Sequence, residues 1–183
     1  MPENYHREHP EFALCGLNCV LCPMHLGGYC PGCGGGAGNQ PCKRTRCARE
    51  RGGIEFCWLC GEYPCKRYDG AAQYDSFLTH QAMFRDAARA REEGLAAYLK
   101  EVAERERLLH RLLDGCNDGR RKTLFCTAAA LLSLPALREA VEGAEEAREL
   151  PLKERAAAAA RLLQDAAERE GVSLKLRKKP KEK

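Results

Sequence analysis

The stretch that decides the fold is CGLNCVLCPMHLGGYCPGC, residues 15–33, in which five cysteines stand among glycines and prolines. The pattern continues in CKRTRCARERGGIEFCWLCGEYPC, residues 42–65, so ten of the twelve cysteines fall between residues 15 and 65. Glycine permits tight turns and proline interrupts helices and strands, which predicts loops and short knuckles here. The region is poor in large apolar residues. We therefore expect it to overcome the entropy cost of folding only when a bound metal cross-links it.

The spacing of these cysteines predicts the metal. Three pairs follow the Cys-x-x-Cys pattern, and two intervening residues let both sulfurs of one turn face the same ion. Two such turns complete the tetrahedral shell that zinc prefers. Ten thiols suffice for at least two zinc ions, with the partition among sites left open. The candidate ligands are Cys15, Cys19, Cys22, Cys30, Cys33, Cys42, Cys47, Cys57, Cys60 and Cys65.

The composition indicates a globular protein and a reducing compartment. The chain is 44% hydrophobic and 31% charged, and no stretch approaches the roughly 18 consecutive apolar residues of a membrane span. The N-terminus shows no apolar segment of the kind a secretory signal needs, so we expect a cytoplasmic protein without a membrane partner. In that compartment cysteines bind metal or react as thiols more often than they form disulfides.

The second part of the chain has the periodicity of helices. It starts near Ala71 and is broken near Gly94, before Pro135 and at Pro151, and it closes at Gly171. The predicted fold is mainly α: an N-terminal loop-rich cysteine metal-binding module packed on a C-terminal bundle of about four to five helices. The predicted divisions are a module over 1–70, a helical domain over 71–171 and a basic tail over 172–183, in which residues 172–176 are a candidate short strand.

Charge is concentrated in two places. The tail carries six basic residues and one acidic residue, which more than accounts for the formal net charge of +4, and we expect it to be solvated. The second concentration surrounds Cys42 and Cys47. Because four thiolates around zinc carry a net negative charge, these cations are interpreted as charge compensation, with RNA contact as an alternative. They are Lys43, Arg44, Arg46, Arg49 and Arg51.

The cysteine strings and the later string NDGRRKTLFCTAAALL, residues 117–132, together resemble a bacterial and archaeal family catalogued as domain of unknown function 3795. The resemblance runs from Cys15 to about Leu132. It implies a cysteine-rich, metal-binding protein without an assigned reaction. It also marks Asp118, Arg120 and Cys126 as additional candidate site residues, which the bare sequence explains as a turn that enters a helix and a buried thiol.

Three classes of function fit these observations. The first is a metal-stabilised scaffold that binds an unknown protein partner, favoured because cysteine ligands suit closed structural sites. The second is an iron–sulfur protein with a redox role, because Cys22-Pro23 resembles the end of a ferredoxin motif. The third is an RNA-contacting zinc module. The sequence leaves open whether the chain is an enzyme. Cys15-x3-Cys19-x2-Cys22 has the spacing of radical S-adenosylmethionine enzymes, but the repeated strand and helix units of their barrel are missing from the pattern, and the candidate place for an active site is Asp118, Arg120 and Cys126.

Overall fold

The computed structural model describes residues 5–36 and 42–180. Within these ranges the chain is mainly helical, with a loop-rich N-terminal region that holds most of the cysteines, followed by a bundle of helices. The predicted fold class is therefore confirmed. No strand forms in the described ranges, where an isolated β-bridge joins Phe12 and Asn18. The outer ends of the predicted module and tail, residues 1–4 and 181–183, lie outside the described residues.

The cysteine-rich region is built from short elements. Its helices are α1 (Pro23–Leu26) and α2 (Lys43–Glu50), and single turns of 3₁₀-helix lie at Cys19–Leu21, Cys57–Leu59 and Lys66–Tyr68. Two of the Cys-x-x-Cys pairs close as knuckles. The Cys22 N–H donates to the Cys19 carbonyl at 2.9 Å, and the Cys60 N–H donates to the Cys57 carbonyl at 3.1 Å.

Five helices form the bundle, which agrees with the predicted four to five. They are α3 (Met83–Glu92), α4 (Leu95–Cys116), α5 (Lys122–Leu131), α6 (Leu134–Glu146) and α7 (Leu152–Arg169). Helix α4 is the longest and packs against the other four. In the part of the chain that the structure describes, no helix has the length and apolar character needed to cross a membrane.

The breaks between these helices follow the sequence signals. Gly94 has a φ of 95° between α3 and α4, a conformation that costs glycine little because it lacks a Cβ. The Ser133 hydroxyl accepts a hydrogen bond of 3.3 Å from the Ala136 N–H and so caps α6. Gly171, with a φ of 65°, follows the end of α7.

The helical structure of the bundle begins later in the chain than the predicted start near Ala71. Residues 71–82 form turns, and the first bundle helix begins at Met83. Asp75 explains the difference, because its carboxylate accepts backbone N–H bonds of 2.7 Å from both His80 and Arg177. Arg177 also pairs with Asp75 through its guanidinium at 2.8 Å. The tail is therefore docked as far as Arg177 rather than solvated, and residues 172–176 do not form a strand.

The cysteine-rich region shares the core of the bundle. Phe12, Leu21 and Phe56 are buried in the same apolar cluster as residues of α4, α5, α6 and α7. A second, smaller cluster joins Leu14 and Cys15 to Met83 of α3. The region therefore buries more apolar surface than its composition indicates, because its few large side chains pack against helices rather than against each other.

Candidate metal centre

Four cysteines from the second half of the cysteine-rich region line one pocket. Helix α2 contributes Cys47, the following knuckle contributes Cys57 and Cys60, and Cys65 precedes the turn at Lys66–Tyr68. We call these residues thiol group 2. The cavity between these residues has a volume of about 30 Å³. Burial raises the pKa of Cys57, and the charges of Cys65 and Cys47 act in the same direction.

Hydrogen-bond donors surround this pocket. The Tyr68 hydroxyl is buried beside Cys57, and its hydrogen bond to that thiol acts to lower the thiol's pKa. Nε of Arg44 is buried and has no hydrogen-bond partner among the described residues. Arg51 donates from Nη1 to the Cys60 sulfur at 3.4 Å and from Nη2 to Glu62 at 2.7 Å. Unpaired buried donors are costly unless an acceptor reaches them. Metal-bound thiolates would supply such acceptors.

A second set of cysteines gathers around the first knuckle. The side chains of Cys19 and Cys33 hydrogen-bond to each other, which raises the pKa of Cys19 and lowers that of Cys33. Burial raises the pKa of Cys15 to about 12, and the charges of Cys33 and Cys42 add to this effect. We call Cys15, Cys19, Cys33 and Cys42 thiol group 1. Both thiol groups lie close to Arg44, whose charge acts on Cys15 and Cys57.

Arg7 supports thiol group 1 from the N-terminal segment. Its side chain is buried, and it donates to the carbonyl of Cys33 at 3.2 Å and to that of Glu55 at 2.9 Å. Its guanidinium also pairs with the Glu55 carboxylate at 3.1 Å and lies 4.9 Å from the centre of the Phe56 ring. Arg7 therefore fastens the N-terminal segment to two parts of the cysteine-rich region and places a positive charge near its thiols.

The two remaining thiols of the predicted ten lie towards the bundle. Cys22 interacts electrostatically with Cys30, and the buried Cys126 of α5 interacts with Cys22. Burial raises the pKa of Cys126 to about 12, and the ammonium group of Lys122 acts against that rise. The structure thus brings Cys126 to the cysteine-rich region.

Asp118 and Arg120 occupy the turn before α5. The Asp118 carboxylate accepts a bond of 3.0 Å from the Arg120 N–H and forms an ion pair with Arg121. Gly119 has a φ of 79°, as the predicted turn requires. Arg120 itself is exposed, and the cation that acts on the thiols is Lys122. Arg121, not Asp118, is the N-cap residue of α5.

The donor chemistry fits a thiophilic ion such as zinc, because each of the two thiol groups offers four cysteines and nearby cations. The side chains of residues 5–36 and 42–180 are not arranged as a finished metal site, however. No group of three or more His, Cys, Asp or Glu among them lies close enough together to hold an ion. Binding would require the thiols to turn toward a common centre, and cysteine side chains can change rotamer about one bond.

Sequence reasoning missed several residues of this region. Nothing in the sequence marked Arg7 or Tyr68, since each reaches the thiols through the tertiary structure. Lys122 carried a usable signal, because it precedes Cys126 by four residues in a predicted helix and so shares its face. Cys116 lies elsewhere, in a pocket with Arg111, Glu145 and Arg155.

The chain matches no family model, no curated protein and no solved structure. The resemblance to domain of unknown function 3795 therefore stays a prediction.

Proposed function

We propose that this protein binds at least two metal ions, most simply zinc, through thiol groups 1 and 2, and that the ions hold the cysteine-rich region in its folded shape. The observation that carries the proposal is the pocket of thiol group 2. Four thiols line it together with two buried donors: the Tyr68 hydroxyl, which hydrogen-bonds to Cys57, and Nε of Arg44, which has no partner among the described residues. Four thiolates around zinc would carry a charge of −2 and accept hydrogen bonds from such donors.

The proposed role is that of a scaffold for a protein partner in the cytoplasm. Four cysteines per ion leave no coordination position open for a substrate, which is the arrangement of structural zinc sites. The knuckle of thiol group 2 presents Leu59 at its tip with 64% of the side chain exposed. A metal-ordered loop with an apolar tip suits contact with another protein.

An iron–sulfur cluster is the alternative ligand for the same thiols. It needs the same anionic cysteines and would use the same surrounding donors. Anaerobic purification separates the two. Zinc leaves the protein colourless, whereas a cluster gives visible absorption, iron and acid-labile sulfide in comparable amounts.

RNA contact is supported by one surface. Arg44 donates from Nη2 to the Arg67 carbonyl at 2.9 Å and joins α2 to the turn at Lys66–Tyr68. Lys43 and Arg46 of α2 are exposed, and so are Lys66 and Arg67 of the turn. Phosphate contact through these residues would weaken steeply with salt. Replacing Lys43 and Arg46 by Ala together would then weaken binding of single-stranded RNA without changing metal content.

The main proposal is tested by elemental analysis of the full chain and two variants. The wild type should contain at least two zinc ions. Cys57→Ser should lose one of them, because thiol group 2 then has three thiols, whereas Cys116→Ser, a matched change of a buried cysteine outside the groups, should retain both. A wild type with less than one ion per chain, or full retention of metal by Cys57→Ser, would contradict the proposal.

A further inference from the structure

The boundary between the cysteine-rich region and the bundle holds thiols that the two proposed sites do not use. The short helix α1 packs against α5, and Cys22 lies immediately before α1. Cys126 lies in the middle of α5 and is 1% exposed. Cys30 follows α1, and its N–H donates to the Met24 carbonyl at 3.2 Å. Cys22 interacts electrostatically with both Cys30 and Cys126, so it links the two ends of α1 to α5, although the three thiols would have to turn toward a common centre to bind one ion.

One histidine accompanies them. His25 is in α1, and its Nδ1 lies 2.9 Å from the carbonyl oxygen of Cys30. A carbonyl can only accept, so Nδ1 donates, and in the neutral imidazole Nε2 then has the lone pair. Histidines that bind metal through Nε2 commonly have this arrangement, because the second hydrogen bond orients the ring and selects the tautomer.

The histidines of the second part of the chain have different surroundings. His80 uses both ring nitrogens within its own turn, toward the Ala71 carbonyl at 2.8 Å and the Ser76 hydroxyl at 3.0 Å. His110 stands on the outer face of α4, with Glu106 at 3.9 Å. The ring of His25, in contrast, is held by the backbone carbonyl of a cysteine.

We propose that Cys22, His25, Cys30 and Cys126 form a third metal site, which takes a zinc ion and joins the cysteine-rich region to the bundle through α5. Three cysteines and one histidine are a ligand set of closed structural zinc sites. Lys122 lies one helical turn before Cys126 and offsets the net negative charge of such a complex. The inference rests on the proposed metal-binding function and adds a histidine and a bundle residue to it.

The three groups together account for eleven of the twelve cysteines. The exception is Cys116, in the pocket formed by α4, α6 and Arg155. This gives the inference a matched control, because Cys116 and Cys126 are both buried cysteines on bundle helices.

The test counts zinc per chain in the full-length wild type and four variants. The expected wild-type content is three ions. Cys126→Ser and His25→Asn should each contain one ion fewer, while Cys116→Ser and His110→Asn should retain all three. If Cys126→Ser proves insoluble, His25→Asn decides by itself, because His25 is only partly buried and its replacement leaves the core intact.

The outcomes separate the third site from the first two. Three ions in the wild type, with one lost in both Cys126→Ser and His25→Asn, support the assignment. A wild type with two ions, both retained in Cys126→Ser and His25→Asn and one lost in Cys57→Ser, overturns the third site and leaves the proposed function in place. A wild type without metal overturns both.

Discussion

The side-chain amide of Asn18 donates a hydrogen bond of 2.9 Å to the hydroxyl of Tyr98, and both residues are buried. Asn18 lies between Cys15 and Cys19, whereas Tyr98 is in the first turn of α4. The same amide donates to the Asp86 carboxylate of α3 at 3.0 Å. One side chain of the cysteine-rich region therefore fixes its position on two bundle helices.

Tyr98→Phe tests this connection. The substitution leaves Asn18 with a buried amide that has lost one partner, so we expect the free energy of unfolding to fall by about 1–2 kcal/mol. Urea denaturation of the metal-loaded protein measures the change. Tyr29→Phe is the control, because the Tyr29 side chain is 71% exposed and its hydroxyl can bond water. Equal stability of the two variants would show that the Asn18–Tyr98 bond does not hold the region in place.

The second prediction concerns the hydrogen bonds from Arg105 to the C-terminal end of α5. From its buried position in α4, Arg105 donates from Nη1 to the carbonyls of Ala129 at 2.9 Å and Leu132 at 2.7 Å. The last carbonyls of a helix have no partner within the helix, so Arg105→Met would leave both unsatisfied at a cost of about 2–4 kcal/mol. Arg107→Met on the exposed face of the same helix should change stability by less than about 0.5 kcal/mol. Similar melting temperatures for the two variants would contradict the capping role.

Ionisation of the Glu101 carboxyl makes the free energy of unfolding depend on pH in the acid range. Hydrogen bonds from Arg89 and then from Arg105 lower the pKa of Glu101 from 4.5 to about 2 in the folded state, against the effect of burial. The carboxylate therefore stabilises the fold above about pH 4.5, and this contribution disappears as the pH falls toward 2.

Glu101→Gln should lower the free energy of unfolding by about 1–2 kcal/mol at pH 7, a figure reduced for partial exposure of the pair. The difference between wild type and variant should shrink as the pH falls from about 4.5 to 2. Urea titrations over this range measure it. Glu149→Gln, with a side chain that is 89% exposed, should show no such trend. A difference that stays constant with pH would rule out the Glu101 contribution.

The C-terminal segment provides a fourth prediction. Arg177 pairs with Asp75, whose side chain is fully buried, so Arg177→Ala would leave a buried carboxylate with fewer partners. We expect a loss of about 2–3 kcal/mol and faster amide exchange in residues 71–82. Lys178→Ala, one exposed residue further along, should leave both quantities unchanged. Unchanged exchange in Arg177→Ala would mean that the tail does not hold this segment.

Metal removal is the fifth prediction. A chelator should release amide protection in residues 42–68, where the backbone bonds close only short turns around the thiols. Helices α4, α6 and α7 should stay protected because they pack on one another. Restoring zinc should reverse the change. Hydrogen exchange that is identical with and without chelator would contradict a structural role for the metal.

The ends of several helices could be predicted from the residues next to them in the sequence. Gly94, Ser133 and Gly171 mark helix ends through backbone geometry and capping, which depend on few neighbouring residues. The turn at Asn117, Asp118 and Gly119 was predicted for the same reason. The start of the bundle was not, because Asp75 is held by Arg177, about a hundred residues away in the chain.

By itself, the sequence determined that ten cysteines are clustered in a loop-rich region and that helices follow, because cysteine spacing and helical periodicity are local properties of the chain. Only the tertiary structure decided which thiols become neighbours. Cys19 interacts with Cys33, and Cys22 interacts with Cys30 and Cys126, so the members of two of the three Cys-x-x-Cys pairs belong to different groups. The physical reason is burial: Phe12, Leu21 and Phe56 pack against the bundle, and that packing sets the path of the loops that carry the sulfurs.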